Sequence, residues 1–166
     1  MPKSEVRYRR SKLISSAAVH GLFLRNGWKD WHTRRDTKEY IARALFVASA
    51  WLDGKAIGIG ALYGDGRFTT SIETLLVDQE FRKRGIGTTL LKILLAAARR
   101  RHPYSLITDV HLKKTERMYA RLGFKRHKGS VYLDHGPTQE RFIAHVEKSR
   151  AARKKLAGRK SQGISG

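Results

Sequence analysis

The sequence predicts a mixed α/β layer fold, in which a mostly antiparallel central sheet is flanked by helices. Three β-rich segments follow one another between residues 46 and 77, and Asp53-Gly54 and Gly64-Asp65-Gly66 separate them with residues that favour tight turns. Apolar residues then recur at helical spacing from Ile86 to Ala98. A meander of strands followed by alternating helix and strand predicts this class of fold.

The first 45 residues predict a short strand and two helices. Residues 6–9 are a candidate for extended structure. A serine at residues 15–16 is suited to cap a first helix, which we expect to end near residues 26–27, an Asn-Gly pair. Asp36 or Thr37 is expected to cap a second helix.

The spacing of hydrophobic residues and the positions of turn residues predict the remaining elements. The 86–98 helix is expected to end at three arginines, which suit the negative end of a helix, before Pro103. Gly123 is expected to end a short helix in the left-handed conformation. The predicted ranges are strands 46–52, 56–63, 68–77 and 105–110, helices 86–98 and 113–122, a hairpin of 124–127 with 130–133, and a helical segment 138–156.

Length and composition limit the class of protein. With 166 residues, we expect one domain over residues 1–136 and a basic C-terminal helix or tail over 137–166. The absence of cysteine excludes disulfides, Cys-ligated metal sites and thiol nucleophiles. No apolar run approaches the ~20 residues of a membrane span, and no apolar signal segment follows Met1, so we expect a cytoplasmic protein without a membrane partner.

The net charge of +21 comes from the whole chain. Residues 137–166 contain eight Lys or Arg and two acidic residues, and the other 136 residues contain 27 and 12. A field of this sign attracts nucleic acid, phosphorylated cofactors and anionic surfaces, but it does not choose among them.

The most informative segment is the glycine-containing turn at residues 77–88, which follows a strand and opens a helix. Gly85 and Gly87 lack a Cβ where a backbone must turn sharply or approach a ligand. The first N–H groups of a helix point at one spot and favour an anion. The segment differs from a P-loop, which would end in Gly-Lys-Ser/Thr, and from G-x-G-x-x-G, because position 90 is Leu90.

Two motifs make the chain resemble the GNAT superfamily of acyl-CoA-dependent N-acyltransferases. Residues 82–87, Arg-Lys-Arg-Gly-Ile-Gly, match the family pattern R/Q-x-x-G-x-G/A between a strand and a helix. Residues 119–124, Tyr-Ala-Arg-Leu-Gly-Phe, are similar to its Tyr-x-x-x-Gly-Phe element. The resemblance covers roughly residues 5–134. One difference is that residues 110–114 lack the Asn that many members use to contact the cofactor.

The resemblance implies that acetyl-CoA is the co-substrate. Its pyrophosphate is expected on the loop and first helical turn, and its pantetheine beside the strand end. A primary amine would then attack the thioester directly, without an acyl-enzyme. The implied binding residues are Leu75, Leu76, Val77, Arg82, Lys83, Arg84, Gly85, Ile86, Gly87 and Thr88.

Glu73 and Tyr119 are the candidate catalytic residues. An alkyl amine with a pKa near ~10 is protonated at neutral pH, so a base helps to expose its lone pair. Glu73 is the only acid in residues 68–77, where several relatives place a carboxylate base; alternatively it faces solvent or pairs with a cation. Tyr119 is the donor to the departing thiolate by family position; alternatively it only packs on its helix.

Weaker candidates surround this site. Asp109 and His111 lie at the end of a predicted strand, and His111 could relay protons or be a surface residue. Trp28, Trp31 and His32 lie between the first two helices and could line an acceptor pocket or simply pack. The seven His show no metal-binding spacing, so we expect no metal.

The acceptor stays open among a small-molecule amine, a protein amine and an amine carried on nucleic acid. Few carboxylates are available for a cationic acceptor, the main ones being Asp30, Asp36 and Glu39. The charge instead favours an acceptor on or near a polyanion. The alternative is a catalytically inactive module of the same fold that binds DNA or RNA through its basic surface and the tail around residues 148–160, which could equally be a solvated helix.

Overall fold

The computed structural model describes residues 5–28, 33–101, 105–108 and 113–126. All of them lie in one compact unit, Met1–Arg126. The described part is a five-stranded mixed sheet with helices on both faces, which confirms the predicted fold class. In chain order the elements are β1 (Arg7–Arg9), α1 (Ser16–Arg25), α2 (Arg34–Arg43), β2 (Phe46–Leu52), β3 (Lys55–Gly64), β4 (Thr69–Val77), α3 (Ile86–Arg99), β5 (Ser105–Thr108) and α4 (Lys113–Arg121), with a short 3₁₀ turn Gln79–Phe81 before α3.

The two N-terminal helices begin at side chains that accept hydrogen bonds from their first turns. Ser15 caps α1 as predicted, and its hydroxyl accepts a hydrogen bond from the Ala18 amide at 3.3 Å. The predicted cap of α2 at Asp36 or Thr37 is wrong, because Thr33 is the N-cap. Asp36 occupies the third position of the helix and accepts a hydrogen bond from the Thr33 amide, which completes a capping box three residues earlier than expected.

The strands occur in the order β1-β2-β3-β4-β5. The first four are antiparallel neighbours, and β5 runs parallel to β4. Asp53 and Gly54 both have positive φ angles, 47° and 79°, and form the predicted tight turn between β2 and β3. The β3–β4 pairing has one register irregularity, between Ala61 and Leu62 of β3.

Two apolar cores cover the two faces of the sheet. On one face, α1 and α2 pack on alternate residues of the strands, such as Val47, Ile59 and Leu76. On the other face, α3 and α4 contribute most of the larger core, which includes Leu90, Leu94 and the ring of Tyr119. β4 contributes to both cores, with Ile72 and Leu75 on the side of α3 and Leu76 on the side of α1 and α2.

Helix α3 lies unusually close to the middle of the sheet because β3 presents glycine to it. A Cβ built on Gly60 would lie 2.7 Å from a methyl group of Leu94, and one on Gly58 would lie 3.0 Å from a methyl group of Leu90. A side chain at either position would force these leucines to move, so the glycines let α3 pack closely on β3.

A buried carboxylate joins three segments next to that N-terminus. Asp78, which is 3% exposed, follows β4 directly and accepts a hydrogen bond from Nε of Arg25 at 2.8 Å. The same guanidinium donates to the carbonyl of Ala56 at 2.7 Å, and Nζ of Lys55 lies 3.8 Å from the carboxylate. Arg25 therefore ties the end of α1 to the start of β3 and to the loop that leads into α3.

The C-terminal part of the described unit agrees with several predictions. β5 is observed over Ser105–Thr108, and α4 is followed by Gly123 with a φ of 93°, as expected for a left-handed helix end. Residues 124–126 are not in a strand, so the predicted hairpin does not begin there. The second hairpin strand, the helical segment 138–156 and the basic tail lie outside the described residues. In the part of the chain that is described, no helix is long and apolar enough to cross a membrane.

Replacing Arg25 with Leu should destabilise the protein by about 2–3 kcal/mol, because the buried Asp78 carboxylate loses its closest charged donor. Lys55→Gln is the matched control: its ammonium is more distant and more exposed, so its removal should cost less than about 1 kcal/mol. Urea denaturation of the three proteins measures both changes. Equal losses for the two variants would show that Arg25 has no special role.

Candidate active site

β4 continues beyond the last described residue of β5, and this end of the β4–β5 pair is called the fork. The two strands pair from Thr69–Ser105 to Ile72–Thr108. Among the described residues, β4 has β3 as its only strand neighbour from Glu73 to Val77. The edge of β4 over these residues carries backbone groups to which an extended ligand could bond as an added strand would.

A β-bulge at the base of the fork places Glu73. Ala61 of β3 pairs with Thr74, whereas Leu62 pairs with Ile72, so Glu73 is an extra residue without a partner across the strand. Its side chain is exposed, and its Oε1 accepts a hydrogen bond from the hydroxyl of Ser71 at 2.5 Å. The carboxylate has no ion-pair partner among the described residues. The alternative that a cation neutralises Glu73 has no support in this part of the chain.

The loop from β4 to α3 has two residues in the left-handed region. Lys83 has a φ of 63° and Gly85 a φ of 78°. Glycine adopts this conformation without strain, but lysine does so at a cost of about 1 kcal/mol or more. The first intrahelical bond runs from the amide of Thr89 to the carbonyl of Gly85. The amides of Ile86, Gly87 and Thr88 therefore precede the hydrogen-bonded turns and are oriented to receive an anion.

The three cations of this loop have different surroundings. Arg82 holds the loop in place, because its Nε donates to the carbonyl of Val77 at 3.0 Å and its Nη2 donates to Oδ1 of Asn26 at 2.9 Å. The guanidinium of Arg84 lies 5.2 Å from the ring centre of Phe81. Arg82, Lys83 and Arg84 are all exposed, so the mouth of the fork is cationic.

Gly87 lies where β4, α3 and α4 meet. A Cβ at this position would be 3.6 Å from a methyl group of Val77 and 3.9 Å from the sulfur of Met118, both ordinary contacts. The surrounding protein would accept a small side chain, although glycine within a helix costs about 1 kcal/mol relative to alanine. The missing side chain widens the gap between the end of β4 and α4.

The other predicted binding residues line the same end of β4. Leu75 is half-buried and packs with the α3-side core, whereas Leu76 is buried on the side of α1 and α2. Ile86 is buried and anchors the first turn of α3, and Thr88 is half-buried. The side chains of these residues form the walls of the site. The groups that can bind a ligand are the backbone atoms of β4 and of the α3 N-terminus.

Tyr119 reaches the fork from the α3 side. It is 8% exposed, and its ring meets that of Phe124 edge to face at 5.3 Å. Burial raises the pKa of Tyr119, and a hydrogen bond with the side chain of Thr108 opposes part of that increase. The hydroxyl of Thr108 donates to the carbonyl of Ile72 at 3.2 Å. Tyr119 is thus linked to the last paired position before the bulge.

Two tyrosines lie near Glu73 on the face of the sheet that α1 and α2 cover, which is opposite to the face of Tyr119. The rings of Tyr40 and Tyr63 are 5.1 Å apart, and the hydroxyl of Tyr63 donates to the carbonyl of Tyr40. Burial raises the pKa of both phenols well above 10.0, and the charge of Glu73 raises both further. Hydrogen bonds with Thr74 and Tyr63 lower the pKa of Tyr40 by a smaller amount.

Some of the weaker candidate residues have structural roles, and the others lie outside the described residues. Trp28 stacks on Phe23 at 5.1 Å, so it contributes to packing. Asp36 belongs to the cap of α2, and Glu39 pairs with Arg43 at 2.6 Å. The structure does not describe Asp30, Trp31, His32, Asp109 or His111. The described residues contain no group of three or more His, Asp or Glu arranged to hold a metal ion.

Sequence reasoning did not identify Ser71, Thr108 or Tyr63 as parts of the site. Ser71 and Glu73 are two residues apart in a strand, and this period could have indicated a shared face. Thr108 and Tyr63 contact their partners through tertiary packing, which has no local pattern in the sequence.

The comparison with protein families gives the fold and the motifs a common explanation. The model of the acetyltransferase (GNAT) family matches residues 16–124, which is more than half of the chain. The chain belongs to the GNAT family. No curated protein sequence matches it significantly.

Solved structures of acetyltransferases share the fold of this GNAT protein. A GNAT family protein from Streptococcus pneumoniae TIGR4 superposes with a TM-score of 0.65 at 18% identity, over 80% of this chain and all of the other. An aminoglycoside N-acetyltransferase in complex with CoA gives 0.61 at 18% identity, over 81% and 98%. A ribosomal-protein-alanine N-acetyltransferase from Brucella melitensis gives 0.63 at 16% identity, over 79% and 99%. At these identities the similarity shows the fold alone.

The raised pKa values of Tyr40, Tyr63 and Tyr119 predict a loss of stability in alkali. In each case the folded protein holds the phenolic proton more tightly than the unfolded chain. This stabilisation is complete below the ordinary pKa of 10.0 and declines as the pH rises above it. The free energy of unfolding should fall above pH 10.0, and Tyr40→Phe should make the decline shallower. Tyrosinate absorbance from these buried rings while the native circular dichroism persists would contradict this.

Proposed function

We propose that this protein is an N-acetyltransferase that moves an acetyl group from acetyl-CoA to a primary amine by direct attack in a ternary complex. The observation that carries the proposal is the position of the α3 N-terminus. The amides of its first turn make no intrahelical hydrogen bond and lie beside the end of β4. At the same point, the missing side chain of Gly87 leaves a gap toward α4. A ligand that has both an anionic group and an extended arm fits an anion site next to an open strand edge.

The residues present fit acetyl-CoA in both respects. The amides of Ile86, Gly87 and Thr88, with the positive end of the helix dipole and the adjacent Lys83 and Arg84, would hold the pyrophosphate. The free edge of β4 from Glu73 to Val77 would hold the pantetheine arm. When bound, acetyl-CoA supplies an activated thioester carbonyl.

Glu73 is proposed as the general base. Its carboxylate is exposed at the bulge and oriented by Ser71, so it can accept a proton from the ammonium group of the acceptor. Tyr63 and Tyr40, whose raised pKa values keep them neutral, border Glu73 and add no second negative charge beside it. The N–C bond then forms as the C–S bond breaks.

Tyr119 is proposed as the general acid. A phenol is protonated at neutral pH, burial raises the pKa of Tyr119 further, and its side chain lies near that of Thr108 at the base of the fork. It can therefore give its proton to the departing sulfur. Glu73 and Tyr119 approach the fork from opposite faces of the sheet. The base that serves the acceptor amine is therefore separated from the acid that serves the leaving thiolate.

Gly87→Glu tests the anion site. The fold should tolerate this change, because glutamate suits the first turn of a helix and glycine does not; the free energy of unfolding should stay the same or rise by up to about 1 kcal/mol. Affinity for acetyl-CoA should fall by more than about 100-fold, because bulk and negative charge replace charge-assisted hydrogen bonds.

Gly87→Ala is the matched control for this test, because the family pattern allows either residue at this position. It should bind acetyl-CoA nearly as well as the wild type. Unchanged affinity in Gly87→Glu, measured on protein shown to be folded, would remove the pyrophosphate assignment.

Substitution of the proton-transfer groups should lower turnover rather than acetyl-CoA affinity. With the best acceptor found in a panel of primary amines, Glu73→Gln and Tyr119→Phe should each lower kcat by about 10²-fold or more. Ser71→Ala should lower kcat by about 3- to 10-fold through loss of one orienting hydrogen bond, and Ser71→Thr should restore it. Wild-type turnover in Glu73→Gln or Tyr119→Phe would show that the residue is not catalytic.

A further inference from the structure

A cationic groove runs between α3 and α4, outside the fork. Two adjoining cavities of about 420 and 620 Å³ share Leu95, Arg99 and Leu122 in their walls. The groove lies on the face of the sheet that α3 covers, away from α1 and α2. None of its residues belongs to the proposed acetyl-CoA site.

Four cations surround the groove, and none is neutralised within the described residues. Lys92, Arg99 and Arg121 line the first cavity, and Arg99 and Lys125 line the second. None of the four makes an ion pair or side-chain hydrogen bond in the part of the chain that the structure describes. The described residues in the walls of the two cavities include no acidic residue. Lys92 and Arg99 are seven residues apart, so they lie on the same side of α3, about 10 Å apart along its axis.

The walls between these cations are apolar. Leu95 and Leu122 contribute to both cavities, and Leu106 and the ring of Phe124 contribute to the second. A purely inorganic anion would leave this apolar surface unused. A matching ligand has several negative charges at intervals and flat apolar groups between them.

We propose that the α3–α4 groove binds a segment of single-stranded nucleic acid. The phosphates bind the four cations, and the bases lie against the leucines and Phe124, which is the combination that sequence-tolerant binding of single strands uses. The net charge of +21 favours the encounter. The groove gives the nucleic acid a specific binding site in addition to this general attraction. This proposal does not depend on the proposed acetyl-transfer function.

The test uses the full-length protein, a fluorescent oligouridylate of about 12 nucleotides and a matched pair of double variants. Lys92→Gln with Arg99→Gln removes two charges from the groove. Arg34→Gln with Arg35→Gln removes two exposed charges from α2, on the other face of the sheet. Fluorescence anisotropy at several salt concentrations gives the affinity and its salt dependence.

The groove variant should lose about tenfold or more in affinity, and the slope of log K against log salt should become shallower by about 1.4, the value for two lost phosphate contacts on a single strand. The α2 variant should stay close to the wild type in slope. Both variants should bind acetyl-CoA like the wild type, which separates a failure of this proposal from a failure of the proposed function.

Three results would overturn the proposal. Equal losses in the two variants would mean that only the general charge attracts the strand. No loss in either would place binding elsewhere, for example in residues 137–166. The third result is that uridine monophosphate competes with the labelled strand as well as unlabelled oligonucleotide does, when the two are compared at equal phosphate concentration. That result would make the groove a site for a single nucleotide instead.

Discussion

The change of neighbour along β4 is the constraint on which the site depends. The strand is held between β3 and β5 up to Ile72, and one extra residue at Glu73 then interrupts its pairing with β3. Beyond Ile72, β3 is the only strand neighbour that the described residues give to β4. The bulge places the acidic side chain of Glu73 next to the described end of the β4–β5 pairing.

The remaining features hold the α3 N-terminus against this opening. Glycines in β3 let α3 approach the sheet closely, and the buried pair of Arg25 and Asp78 fixes the start of the connecting loop. Arg82 binds the loop to the last carbonyl of β4. These contacts keep the first amides of α3 in place before any ligand arrives. A preorganised site of this kind spends little of its binding energy on ordering the protein.

Most of the fold followed from the sequence because its signals are local. The β-rich strands, the turn at Asp53-Gly54 and the left-handed Gly123 each depend on neighbouring residues, and each is observed. The cap of α2 was misplaced because Asp36 is suited both to a cap and to the third position of a capping box, and only the geometry of Thr33 distinguishes the two. The fork and its bulge depend on register between strands, for which the sequence carries no local sign. Likewise, the hydroxyl of Thr108 and the carboxylate of Asp78 find their partners through tertiary packing.

The central claim is that the fork and the α3 N-terminus form one site for acetyl-CoA. Calorimetric titration of the wild-type protein with acetyl-CoA and with ATP, at low and at high salt, tests it most directly, because a protein of charge +21 attracts any phosphate. Binding should be selective for acetyl-CoA and should largely persist at high salt, since the strand edge and the helix amides hold the ligand at short range. Acetyl-CoA binding that is no tighter than that of ATP, and that disappears with salt, would contradict it.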